Sequence, residues 1–170
     1  YEVFYMEKNV VKNILADTDL RQNLIKLKGS MTSTDTLEGP IVEKLCDCLT
    51  HEDPKVRKNA ALLLGYTKNP LMASVLLDAY KNEKKDFVKD AYLKGMSRYD
   101  CKRYIKELQE IQNELMNSEV VDSKHIKAQL KVLNPMIRSY SYHKKKSIRL
   151  LHKEVDVILT TLPYYQYTLF

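Results

Sequence analysis

An internal repeat limits what this chain can fold into more than any other feature. The stretch Leu20-Arg21-Gln22-Asn23-Leu24-Ile25-Lys26-Leu27-Lys28-Gly29 aligns without gaps over Val56-Arg57-Lys58-Asn59-Ala60-Ala61-Leu62-Leu63-Leu64-Gly65. Arg, Asn, Leu and Gly coincide, and three further positions share apolar character. Asp17 and Asp53 each stand three residues ahead, and Pro54 follows the second. An aspartate there is expected to cap a helix by accepting a hydrogen bond from an orphan amide, and Pro pre-sets the first helical dihedral. Glycine at the far end permits a left-handed closing turn. Weaker copies open at Val88-Lys89, after Asp86, and at Ile126-Lys127, after Asp122 and Ser123, giving spacings of 36, 32 and 38 residues.

Between these copies lie amphipathic stripes. Ile41, Leu45, Cys48 and Leu49 share one helical face, as do Met72, Val75, Leu76, Ala79 and Tyr80, and Tyr104, Leu108, Ile111 and Leu115. Helix-stop chemistry falls at residues 29–39, 50–54, 67–70, 99–101 and 117–123. The pattern predicts four helical hairpins over residues 1–137. A hairpin of about thirty-five residues cannot bury its own stripe, so neighbours must stack into one continuous core. The fold class is all-α, an α-solenoid.

The run Leu49-Thr50-His51-Glu52-Asp53-Pro54-Lys55-Val56-Arg57-Lys58-Asn59-Ala60-Ala61-Leu62-Leu63-Leu64-Gly65 resembles the HEAT repeat. The likeness is to the short bacterial form of phycobilisome-lyase-like proteins, whose second helix opens D-x-x-V-R-x-x-A-A and closes L-G. The third and fourth copies depart from it: Tyr92 and Leu130 replace the first Ala, and the Gly is displaced or lost. The resemblance implies a right-handed α-solenoid whose members are mostly scaffolds and binding surfaces. It also implies that the helices with the V-R opening line the concave face. On that basis the chain is expected to be a non-catalytic interaction module that holds a protein partner on this face.

The repeat-locked cations Arg21, Arg57, Lys89 and Lys127 are brought into a row by stacking. Two roles are open to them: a basic ladder for acidic protein segments or phosphates, or structural pairing with Asp17, Asp53, Asp86 and Asp122 across the repeats. A second candidate is the stretch from Arg138 to Lys153. It holds Arg138, Lys144, Lys145, Lys146, Arg149 and Lys153 and no acid, leaving 22 bases against 22 acids elsewhere. Mixed with Tyr140 and Tyr142, these bases suit phosphates and unpaired bases of RNA, or else form a solvated tether after the last repeat. Nucleic acid is therefore the alternative partner.

Other chemistry lacks its residues. The histidines His51, His125, His143 and His152 are scattered, and no HExxH or C-x-x-C occurs, so no metal site is expected. Four glycines form no phosphate cradle, so no cofactor is expected. The odd set Cys46, Cys48 and Cys101 suits a reduced, cytoplasmic compartment. No apolar run is long enough to span a membrane. Residues 138–154 read as a basic connector. The β-branched run from Val155 to Pro163 reads as a strand, making 155–170 a strand-like tail and the opening of a further domain. A strand after a basic lead-in is similar to the beginning of bacterial RNA-modifying methyltransferases.

Overall fold

The computed structural model describes residues 2–166, with side chains given for 7–141, 145–146 and 148–157. The described residues are helical: α1 (Glu2–Leu15), α2 (Leu20–Ser30), α3 (Pro40–Cys48), α4 (Pro54–Leu64), α5 (Leu71–Asn82), α6 (Asp86–Met96), α7 (Ile105–Met116) and α8 (Lys124–Gln166), with a 3-10 turn at Lys102–Tyr104. Successive pairs pack as hairpins, α1 with α2, α3 with α4, α5 with α6 and α7 with α8. The second helices, α2, α4, α6 and α8, also stack on one another in that order. We call these four the B-helices and their partners α1, α3, α5 and α7 the A-helices.

The repeat register reappears as a burial register. Leu27, Leu63 and Leu133 occupy one repeat position and are buried, as are Asn23, Asn59 and Gln129 at another. The asparagines are satisfied locally: Asn23 Nδ2 donates to the Asp19 carbonyl at 3.2 Å and Asn59 Nδ2 to the Lys55 carbonyl at 2.9 Å. Lys28 Nζ donates to Asn59 Oδ1 at 3.2 Å, linking α2 to α4. In the third copy the leucine position is Gly95. A Cβ there would stand 2.6 Å from the Ala61 carbonyl oxygen, so α6 lies against the α4 backbone only because that atom is missing. Gly95→Ala should destabilise by about 1–3 kcal/mol by overpacking, although alanine is the better helix former by about 1 kcal/mol. Urea unfolding of the two proteins measures the difference.

Capping departs from expectation in two places. Asp53 caps α4, accepting from the Lys55 amide at 2.8 Å. Asp17 does not cap α2: it sits in the left-handed region at φ 56°, and its carboxylate pairs with Lys44 Nζ at 2.5 Å, tying the first hairpin to α3. Neither repeat glycine makes a left-handed turn. Gly29 lies within α2, and Gly65 is right-handed at φ −67°. Gly65 sits at a close approach instead: a Cβ there would stand 3.2 Å from the Gly95 Cα and carbonyl oxygen and would displace the Arg98 side chain, whose Cδ would be at 2.8 Å.

The strand expected from Val155 to Pro163 is instead helix. α8 runs unbroken from Lys124 to Gln166, and no strand occurs among the described residues. Extending a formed helix adds one hydrogen bond per residue with no new nucleation, and β-branched residues cost only tenths of a kcal/mol each, so Val155, Val157, Ile158, Thr160 and Thr161 do not stop it. Reading the run from Val155 alone hid its phase. Taken from Ile148, the apolar positions 148, 151, 155, 158 and 162 follow three- and four-residue steps. The likeness to methyltransferases rested on that strand and falls with it. Residues 167–170 lie outside the described residues.

Candidate functional site

The four repeat-locked cations have different fates. Arg57 is committed to structure: its Nε and Nη2 donate to Glu83 Oε2 and Oε1 at 2.8 and 2.9 Å, and Nη1 donates to the His51 and Glu52 carbonyls. Glu83 also accepts from the Lys84 and Lys85 amides at 2.9 Å, so one carboxylate anchors the start of α6 to α4. Burial pushes the Glu83 carboxyl up, but the Arg57 guanidinium and those amides outweigh it and hold it below its ordinary value. Burial pushes the nearby Tyr92 hydroxyl up to about 12. Lys127 pairs with Asp122 at 3.0 Å on the exposed lead-in to α8. Lys89 lies half-buried over the Tyr80 ring at 5.4 Å. Arg21 is exposed in the first turn of α2, with no ion-pair partner among the described residues.

The folded chain sorts charge by layer, which reading along the sequence cannot show. α2 carries Arg21, Lys26 and Lys28 with no acid, and α4 carries Lys55, Arg57 and Lys58 with no acid. α6 adds Lys89 and Lys94 beside Asp86 and Asp90. α8 adds Lys124, Lys127 and Lys131 and has no acid before Glu154. Two A-helices reverse the balance: α3 has Glu43 and Asp47 against Lys44, and α7 has Glu107, Glu110 and Glu114 against Lys106, while α1 and α5 carry equal numbers of acids and bases. Since α2, α4, α6 and α8 are neighbours, their layer carries more cations than acids, although Lys94 is paired with Asp90 at 3.0 Å and Arg57 with Glu83. Lys26, Lys55, Lys94, Lys124 and Lys131 are exposed. Charge counted along the sequence placed the whole excess at 138–153 and missed these residues, because acids between the helices, such as Asp17, Asp35, Glu52 and Asp100, and those of α3 and α7 cancel them.

At the last hairpin the face opens into a groove of about 690 Å³, where Lys94, Lys102 and Lys131 converge with Tyr99 and Tyr140. Tyr140 packs against the hydrophobic core. Farther along α8, Arg138, Lys145, Lys146, Arg149 and Lys153 are exposed. The side chains of Tyr142 and Lys144 lie outside the described residues.

Cys101 donates through Sγ to the Met96 carbonyl at 3.2 Å, and burial pushes its thiol up to about 11, away from the reactive thiolate. Cys46, Cys48 and Cys101 are all free thiols. Among the described residues no group of His, Cys, Asp and Glu side chains could hold a metal, and no helix is long and apolar enough to cross a membrane.

Stacked helical hairpins with a continuous core define an α-solenoid. A family model described as HEAT repeats matches residues 9–97, just over half of the chain, and the chain belongs to the HEAT-repeat family. No curated protein and no solved structure matches it. HEAT repeats commonly act as protein-interaction scaffolds and are generally non-catalytic.

Proposed function

We propose that this chain is a non-catalytic interaction module that binds an acidic protein segment along its B-helix face, the concave face in the architecture of the family. The sorting of charge between layers carries the reading. In α2, α4 and α8 from Lys124 to Lys153 there are cations and no carboxylate, α6 balances two lysines with two aspartates, and the A-helices α3 and α7 carry more acids than bases. A surface of one sign attracts a partner of the other sign and excludes partners of its own. Of the cations singled out by the repeat, Arg21, Lys89 and Lys127 belong to this face as contacts, and Arg57 serves by holding α4 and α6 together. The three free thiols suit a cytoplasmic setting.

The nucleic-acid alternative draws on the acid-free stretch of α8. It calls for aromatic rings free to stack, and Tyr140 is packed against the core. Fluorescence-anisotropy titrations with a Glu/Asp-rich peptide, a Lys-rich peptide and a short single-stranded RNA, at about 50 and about 200 mM salt, separate the readings. The acidic peptide should bind saturably and more weakly at the higher salt, ahead of the other two. Failure of the acidic peptide to bind at low salt would dismiss the proposal. Tighter RNA binding that is lost when Lys144, Lys145 and Lys146 become Gln would replace it with the alternative.

A further inference from the structure

α8 overshoots the B-helix beside it. At the repeat spacing, Leu64 at the end of α4 and Met96 at the end of α6 correspond to Asn134, but α8 runs on to Gln166. The flank of α8 beyond that level, with Pro135, Met136 and Ser139, therefore forms one wall of the groove of about 690 Å³ instead of packing on a neighbouring B-helix. The other wall is built by the end of α6, the turn that follows it and the start of α7. Part of the lining is apolar and continuous with the core: Ile105 and Leu108 are buried, and Val132 and Met136 pack half-buried against them. Each wall also carries an ammonium group. Lys131 on α8 and Lys102 on the turn are both exposed, with no ion-pair partner among the described residues. Lys94 is taken by Asp90 at 3.0 Å. Asp100, the one acid of the lining, accepts from the Lys102 amide at 3.1 Å.

We propose that this groove holds the anchor of the acidic partner: one aromatic or leucyl side chain set among Ile105, Leu108, Val132 and Met136, with a carboxylate on either side of it facing Lys102 and Lys131. The inference rests on the B-face reading and narrows it, from any acidic segment to one with an apolar residue among its acids. Two arguments select this occupant. Exposed charges steer a partner and fix its register but contribute little affinity, so a stable complex needs an apolar anchor taken out of water. The groove supplies that place, at a volume within the range of about 300–1,000 Å³ typical of ligand sites, and Met136 is of the residue type that repacks most readily around an inserted ring. Charge then sorts the anchors. A basic segment is repelled by the two unpaired ammonium groups, and a wholly apolar one would cover them without a counter-charge, which is unfavourable.

The test uses the full chain and two labelled peptides of Glu and Asp, one with a single central Phe and the other with Ala in its place. The Phe peptide should bind about tenfold more tightly or better, the contribution of a buried anchor. Ser97 and Ser139 line the groove from its two walls and are exposed, so the double variant Ser97→Trp, Ser139→Trp fills the groove without disturbing the core. It should bring the ratio of the two affinities down to about one, with helical content and the unfolding midpoint unmoved. The pair Lys102→Glu, Lys131→Glu should weaken the Phe peptide by about tenfold or more. Equal binding of the two peptides by the parent chain would overturn the inference and leave the B-face reading standing, whereas no binding of either peptide would remove both. A Phe preference that survives in the tryptophan variant would place the anchor elsewhere and overturn the inference as well. So would self-association of the parent chain in sedimentation that the tryptophan variant abolishes, since the groove would then seat a second copy.

Discussion

Leu63→Asp is expected to cost about 3 kcal/mol or more and to leave little folded protein at physiological temperature. Leu63 is 0% exposed in α4, at the repeat position that Leu27 and Leu133 share in α2 and α8. A carboxylate there has no partner. It must either be buried charged or take up a proton and remain a polar group in an apolar site, and both are unfavourable. The helix it disrupts lies between α2 and α6, so damage spreads to both neighbouring hairpins. Urea unfolding followed by circular dichroism measures the loss. A change below about 1 kcal/mol, the range of ordinary surface substitutions, would mean that α4 presents a different face to the core.

Arg57→Met is expected to be nearly as severe, about 3 kcal/mol, because breaking a buried ion pair leaves the other charge uncompensated. Glu83 is only 3% exposed and its guanidinium partner 17%. The substitution keeps the volume of the side chain and removes four donated bonds. The pH dependence distinguishes this mechanism from a general packing defect. In the parent chain the Glu83 carboxyl is held below its ordinary value. Its stabilising contribution is therefore present above the unfolded-state pKa and is lost as pH falls through the lower folded one. Without Arg57, burial favours the protonated carboxyl, so the variant recovers on acidification. The stability gap between parent and variant should narrow as pH falls from about 7 to about 4. A gap constant over that range would assign the loss to packing alone.

The repeat made most of the architecture legible before any coordinates. Hairpin number, the A- and B-helix alternation and the breaks between helices all followed from Asp53-Pro54, the apolar-basic openings and the 3.6-residue stripes. The misreadings share a physical origin: local signals were read without their neighbours. Gly65 reads as a turn residue from its position, but only the approach of Arg98 and Gly95 shows that it is there for room. Asp17 reads as a cap, but Lys44, from the next hairpin, takes its carboxylate. The run after Val155 reads as strand because β-branching was weighed without the helix already running into it. Electrostatics was least legible. Lys26, Lys55, Lys94 and Lys131 are unremarkable in sequence and become a face only when stacking brings their helices side by side. Arg57, the most prominent of the repeat-locked cations, is held by Glu83, a residue that carries no repeat signature.

The central claim is that the B-helix cations act together as one surface for an acidic partner. Neutralising three exposed lysines on that layer, Lys26, Lys55 and Lys131, is compared with neutralising three exposed lysines on the A-helices, Lys12, Lys81 and Lys106. The two triple variants carry the same net charge, so only position differs. At about 0.2–1 kcal/mol for each exposed charge contact, the B-layer variant should bind the acidic peptide about tenfold more weakly and show a shallower salt dependence, while the A-layer variant stays close to the parent. Equal weakening by the two variants would contradict the account, because net charge alone would then explain the binding.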